Sequence, residues 1–290
     1  MTGHVEKERA KGVGLLVATA LLWSLGGVLV KSIEWNGMAI GGMRSAIGAV
    51  VLAFFMKREW LTFSRVQLAG AVCYIGAVLL YAVANKLTTA ANVILLQYTA
   101  PIYVALLSGW FLGEKIRLYN WIAIAAAIGG MVLFFVGEVS AEGLWGNVLG
   151  VATGLSFGMM MLVMRKQRME AAMGSIFLGN VFTAVLGLPF MFESMPGAVS
   201  WVNLVLLGVV QLGIPYVLYA RGISRVKAID AVMICTLEPI LNPVWVLIFV
   251  GEVPGEWALA GGVVVLVAVT SNAVEATLRN GKARREKAAG

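Results

Sequence analysis

One stretch of this chain occurs twice. Residues 80–114, LYAVANKLTTAANVILLQYTAPIYVALLSGWFLGE, lie over residues 218–252, LYARGISRVKAIDAVMICTLEPILNPVWVLIFVGE, without a gap at an offset of 138, matching at nine of 35 positions. The matches include Pro101 with Pro239 and the closing Gly113-Glu114 with Gly251-Glu252. An apolar alphabet produces scattered identities, but not readily a shared proline inside an apolar run followed by a shared Gly-Glu. A second register, residues 17–32 over 151–166, matches Val-Ala-Thr and sets Arg165 under Lys31. Self-similarity at a long period dictates architecture before any local propensity is weighed. The chain is built from two related halves.

Composition decides the solvent in which those halves fold. Sixty per cent of the residues are hydrophobic and 13% are charged, with a mean hydropathy of +0.88. A soluble domain has about 25% charged residues, so this chain cannot cover a water-facing surface. Charge-free runs fall at 12–30, 66–85, 87–113, 118–137, 143–164, 171–192, 194–220 and 257–274. About 20 apolar residues cross the hydrocarbon of a bilayer as a helix. Two more spans carry internal charge: 38–56 with Arg44, and 230–250 with Asp230 and Glu238. The expected fold is an all-α polytopic membrane protein of ten transmembrane helices.

Ten spans put both termini and the loops after helices 2, 4, 6 and 8 on one side. That side collects 19 of the 22 Lys and Arg residues, the other only Lys31 and Lys86, and Arg44 lies within a span. The positive-inside rule then makes both termini cytoplasmic, in the cytoplasmic (inner) membrane. The net charge of +7 reports orientation in the bilayer, not nucleic-acid binding. The expected layout is a tail at 1–12, a five-helix repeat at 13–136, an extracytoplasmic linker at 137–145, a second five-helix repeat at 146–275 and a basic tail at 276–290. Because each half has an odd number of spans, the repeats insert in opposite directions. Inverted repeats are a common plan of secondary transporters, with the substrate near midplane between halves that rock in alternating access.

Charged and polar residues at membrane depth are the candidates for the site, since burying them in hydrocarbon is costly. Arg44 lies roughly 9 Å into its span and Glu238 roughly 12 Å, at about 1.5 Å per helical residue. Pro239 removes a backbone donor beside Glu238 and frees a carbonyl. The competing reading of both residues is a structural ion pair or a neutral, hydrogen-bonded Glu238. Pockets combine apolar walls with a few orienting polar groups; Trp23, Tyr81, Gln97, Tyr98, Phe157, Asn180, Gln211, Tyr216, Tyr219, Asn242 and Trp245 fit that description. Pro101 and Pro239 are candidate hinges, and Lys31, Glu114 and Glu252 candidate gates or ordinary interface anchors. Gly150, Gly154 and Gly158 form small-xxx-small steps suited to close helix packing.

These residues also carry a resemblance. Trp23 with Lys31, Arg44, Pro101 followed by Leu112-Gly113-Glu114, and Glu238-Pro239 followed by Gly251-Glu252 resemble, in that order, the EamA-type branch of the drug/metabolite transporter superfamily. The resemblance implies a ten-helix basket with a central cavity, usually exporting amino acids or related small metabolites. Two positions depart from the repeat pattern: Ala123 stands where the second half has Gly261, and Phe157 is the helix 6 partner of Trp23.

Other chemistry finds no support. Cys73 and Cys235 fall inside expected spans and His4 is the lone histidine, so neither a disulfide framework nor a metal site is expected. No phosphate-binding loop and no protease constellation is present, so neither an enzyme nor a cofactor is expected. The partners expected are a small-molecule substrate and the lipid bilayer, and a titratable Glu238 is compatible with proton coupling. The leading function is secondary export of neutral or aromatic amino acids and related metabolites. The alternatives are a non-transporting scaffold or receptor component, and a cation-drug antiporter using Glu238 as its anion.

Overall fold

Capping chemistry sets several helix starts. The Asn36 side chain accepts from the Ala39 amide at 2.7 Å and opens α3 (Gly37–Ala53). Ser64 does the same from Gln67 at 3.3 Å for α4 (Arg65–Leu87), each satisfying an amide that the first turn leaves unbonded. The computed structural model describes residues 2–88, 90–134, 136, 143–241 and 256–289, which are helical and irregular, without strands. Before α3 come α1 (Thr2–Trp23) and the short α2 (Gly26–Lys31); after α4 follow α5 (Ala90–Gln97), α6 (Ala100–Leu112) and α7 (Leu118–Phe134). The second half holds α8 (Leu144–Lys166), α9 (Met169–Gly187), α10 (Ala198–Leu206), α11 (Ile214–Ile223), α12 (Ala228–Cys235) and α13 (Glu256–Ala289). A π-helical turn, Leu207–Gly213, joins α10 to α11.

The repeated prolines break helices rather than bend them. Sequence predicts one helix over 91–112 with Pro101 inside it; instead α5 stops at Gln97, Tyr98 and Thr99 form a turn, and α6 restarts at Ala100. Pro101 thereby sits in a first turn, where its missing N–H costs no hydrogen bond. The second half repeats this residue for residue. Its α12 ends at Cys235, Thr236 and Leu237 turn, and helix resumes over 238–241. Gly113 then ends α6 with φ of 66°, a left-handed cap that favours glycine.

Close packing runs through the glycines of α8. A Cβ on Gly154 would lie 2.5 Å from the Leu96 carbonyl oxygen and 2.8 Å from Thr99 Oγ1. A Cβ on Gly158 would lie 3.1 Å from the Ala100 carbonyl oxygen. The helix is therefore seated directly against the Pro101 break. A Cβ on Gly208 in the π turn would likewise lie 2.5 Å from the Cβ of Ile47 in α3.

Among the described residues, five helical stretches are long and apolar enough to cross a membrane unaided: Arg65–Leu87, Asn92–Leu112, Leu144–Lys166, Met169–Phe192 and Ala198–Ile223. Gly37–Ala53, Leu118–Leu133 and Leu259–Asn272 are apolar but shorter. The expected first span is interrupted by a turn at Ser24-Leu25, and the expected ninth by the turn before Glu238, so neither forms one long helix.

Polar contacts gather at the two ends of the molecule. At one end, Arg9 pairs with Asp230 (3.2 Å), Arg225 with Glu8 (3.0 Å) and Arg165 with Glu114 (3.3 Å). The first two join the N-terminal segment to α12 and to the connection after α11, and the third joins the end of α8 to the connection after α6. Glu8 also accepts from Lys11 at 2.7 Å, and these hydrogen bonds from Lys11 and Arg225 hold its pKa down at about 2. At the other end, Trp35 donates to the Ser194 carbonyl (3.0 Å), Asn36 to Glu193 (3.1 Å), and Thr88 and Asn92 to Asn147 (2.9 and 2.8 Å).

Candidate functional site

A cavity lies between the two ends, where the interrupted helices meet. About 410 Å³ of empty space, partly open to solvent, is lined by Trp23, Arg44, Ala77, Val78, Tyr81, Gln97, Phe157, Gln211, Leu212, Tyr216 and Glu238. Four lining residues stand at helix interruptions: Trp23 at the end of α1, Gln97 at the end of α5, Gln211 in the π turn and Glu238 just after the α12 break. Such interruptions free backbone groups, which membrane proteins tolerate where the groups are buried in protein or line a cavity.

Arg44 is the electrostatic centre of this space. It is 3% exposed, donates from Nη2 to the Val78 carbonyl at 2.8 Å, and stands 6.0 Å from the centre of the Tyr81 ring. Its Nε has no hydrogen-bond partner, and among the described residues no carboxylate lies within ion-pair distance of it. The structural ion pair with Glu238 is therefore not formed. A buried cation with a spare donor favours any anion that can reach it.

Acceptors face the same space. Gln97 Oε1 and Gln211 Oε1 are buried without partners, although Gln211 also donates to the Trp23 carbonyl at 3.5 Å. The carboxyl Oε2 of Glu238 lies 2.5 Å from the Tyr98 hydroxyl, which is also 2.9 Å from the carbonyl oxygen of Cys235. The walls are aromatic. Trp23 packs against Tyr216 (5.1 Å between ring centres), Tyr219 (5.6 Å) and Phe157 (5.9 Å), and Tyr216 against Tyr74 (4.8 Å).

Of the residues singled out from sequence, the structure brings Trp23, Arg44, Tyr81, Gln97, Phe157, Gln211, Tyr216 and Glu238 to the cavity. Tyr98 stands behind Glu238, Tyr219 behind Trp23 with its hydroxyl buried and unpartnered, and Asn180 within α9 donates to the Ile176 carbonyl at 3.0 Å. Asn242, Trp245 and Glu252 lie outside the described residues, as does the side chain of Lys31. Sequence reading missed Ala77, Val78 and Leu212, whose side chains carry no polar or aromatic signal. The Val78 carbonyl that holds Arg44 is backbone, and no sequence pattern could have marked it.

Glu114 sits apart from the cavity. Besides Arg165 it reaches the amide that starts α12, accepting from Ala228 at 3.1 Å. Burial raises its pKa above the usual 4.5, against the pull of Arg165 and of the Ala228 amide. One carboxylate thus ties the loop after α6 to the ends of α8 and α12.

Comparison with known proteins identifies the family. The EamA-like transporter family matches residues 10–136 and again residues 144–273. An uncharacterized transporter of Archaeoglobus fulgidus is 26% identical over 258 residues, covering 89% of this chain and 94% of that protein. A pseudopaline exporter of Pseudomonas aeruginosa is 28% identical over 278 residues, with the same coverages of 89% and 94%. A probable terminal-alkyne amino-acid exporter of Streptantibioticus cattleyicolor is 25% identical, covering 87% of this chain and 90% of its own. One solved crystal structure superposes with a TM-score of 0.78 over 90% of this chain and 96% of the other, at 17% identity, and so shares the fold. Two family matches that together span both halves leave one assignment: the chain belongs to the EamA-like transporter family.

Proposed function

We propose that the protein exports small zwitterions, neutral or aromatic amino acids and close relatives, across the cytoplasmic membrane. The observation that carries this reading is the cavity's inventory. It holds a guanidinium without a carboxylate partner, a carboxyl group, two unpartnered amide oxygens and an aromatic wall. An α-carboxylate would answer Arg44, and an ammonium group Glu238 and the amide oxygens. The aromatic rings would take the side chain. A cationic drug fits less well, because it would approach Glu238 inside a space already occupied by Arg44. A scaffold has no use for an unneutralised buried cation, which costs stability and answers nothing.

Transport follows from the two halves moving against each other. In this reading ten crossings form two inverted five-helix repeats, with both termini cytoplasmic. The N-terminal segment with its ion pairs to α12 and Arg225, and the Glu114–Arg165 pair between α6 and α8, form the cytoplasmic end. The Thr88, Asn92 and Asn147 cluster marks the outer end. The relatives described as exporters support outward direction. The test is efflux of labelled neutral amino acids from proteoliposomes containing the full chain. Saturable efflux from wild type that collapses in Arg44→Leu supports the proposal, and equal flux in the two overturns it. Cysteine accessibility should place residues 57–65, 115–117 and 279–287 in the cytoplasm and 138–144 outside. Residue 140 and the C-terminus on one side would overturn the inverted topology.

A further inference from the structure

Counting hydrogens around one phenol gives a result beyond the cavity's shape. A regular helix would bond the carbonyl of Cys235 to the amide of residue 239, four positions on. Residue 239 is proline and has no N–H. The Cys235 carbonyl is met instead by the hydroxyl of Tyr98 at 2.9 Å. That same oxygen lies 2.5 Å from Glu238 Oε2, a separation inside the normal range for an O–H···O hydrogen bond. A tyrosine hydroxyl has one hydrogen to give, and a carbonyl has none. If the phenol serves Cys235, the hydrogen in the shorter contact belongs to Glu238.

The geometry points to a proton-binding site made of Glu238, the Tyr98 hydroxyl and the Cys235 carbonyl, occupied by one proton when the cavity holds no substrate. The surroundings agree. The titratable groups facing Glu238 are Arg44 from α3, Tyr81 from α4, Tyr98 from the turn after α5, Tyr216 from α11 and Cys235 from α12. None is a second carboxylate, and no cation among the described residues is within ion-pair distance of Glu238. A neutral carboxylic acid donating to Tyr98 satisfies every hydrogen bond in the group, whereas a carboxylate would leave either itself or the Cys235 carbonyl unmet.

The use of this site in coupling rests on the exporter reading. A substrate ammonium entering from the cytoplasm would take the place of the proton on Glu238, which leaves to cytoplasmic water. At the outer side a proton returns to Glu238 and the ammonium departs. One proton enters for each molecule exported, so a zwitterion's cycle carries one net positive charge inward.

Infrared difference spectroscopy on the full chain in lipid, without substrate, tests the site itself. At neutral pH the wild type should show the carbonyl stretch of a protonated carboxylic acid, shifted in deuterated water and missing from Glu238→Gln. In Tyr98→Phe the band should persist at higher frequency, its hydrogen-bond acceptor gone. A spectrum identical in wild type and Glu238→Gln overturns the proposal, as does a Tyr98→Phe band that does not move. Should Tyr98→Phe fail to fold, the Glu238→Gln comparison decides alone. Efflux measured on the same preparations separates the two readings. A band without flux of any neutral amino acid keeps the proton site and removes the exporter; flux without the band does the reverse.

Discussion

The Pro101 and Pro239 breaks share a backbone and differ in chemistry. Both follow an eight-residue helix, α5 or α12, both turn for two residues, and both restart with proline in the first turn. At the repeat offset, Gln97 corresponds to Cys235, Tyr98 to Thr236 and Ala100 to Glu238. The first break therefore supplies an amide and a phenol, and the second an acid and a carbonyl. The phenol of the first reaches across to both groups of the second. The scaffold occurs twice, and in the proposed proton site each copy supplies half of the groups. A symmetric pair of acids would have placed like charges in one cavity, at an energetic penalty that a single acid avoids.

The sharpest test of that division is to exchange charge for shape at each break. Glu238→Gln should reduce efflux on the order of 10–100-fold, the loss expected when a hydrogen bond to a charged group worth about 1.5–3 kcal/mol is removed. Ala100→Ser, at the matching position, should stay within about twofold, since no role in binding is assigned there. Comparable losses in the two would dissolve the asymmetry. Rates of labelled efflux at matched protein abundance make the measurement.

A second test presses on the first break through its packing. Gly154→Leu must displace the Leu96 carbonyl or Thr99, and overpacking of this kind costs about 1–3 kcal/mol. The expected outcome is a lower unfolding temperature in detergent and slowed flux without changed substrate preference. Normal stability with altered preference would move Gly154 into the cavity wall.

The prolines themselves sharpen the comparison further. Pro239→Ala returns an amide to the Cys235 carbonyl and frees the Tyr98 hydrogen to stabilise an ionised Glu238. The pH midpoint of the Glu238 infrared band should then fall. Pro101→Ala restores the amide facing Gln97, which touches no acid, and should leave that midpoint in place. Equal shifts would show that helix flexibility, not the hydrogen count, sets the midpoint.

The smallest effect concerns Glu114. Because its folded pKa is raised, the folded state favours the protonated acid. That contribution is present below the ordinary value of 4.5 and is lost as pH rises through the folded value. Glu114→Gln keeps an acceptor for the Ala228 amide and removes the titration. Wild type should therefore lose thermal stability relative to Glu114→Gln as pH rises above 4.5. A difference that moves the opposite way would show that attraction to Arg165 outweighs burial.

Much of the fold was legible because it depends on composition and on period. Apolar runs of spanning length, the basic loops and the repeat were all visible, and the cost of burying charge marked Arg44 and Glu238, both of which line the cavity. Helix interruptions were harder to read. Pro101 and Pro239 advertise a disturbance, yet whether a helix bends or stops depends on what meets the freed carbonyl, here the phenol of Tyr98, 137 positions away in sequence. An ion pair with Glu238 was the competing reading of Arg44, but the partner of Arg44 is the Val78 carbonyl, a group every residue possesses. Asn180 bonds its own helix through its amide nitrogen, while its buried side-chain oxygen has no partner. Side-chain type reveals what can bond, and only the packed geometry decides with whom.

The π turn at Leu207–Gly213 takes up a residue without changing the phase of α11. A regular helix advances about 100° per residue, so an extra residue held in regular geometry would turn everything after it by that angle. The widened turn absorbs the residue instead, and Tyr216 and Tyr219 stay beside Trp23. Tightening Leu207–Gly213 to the regular pitch with all seven residues kept would swing both rings away together. The bulge thus acts as an expansion joint behind the aromatic wall.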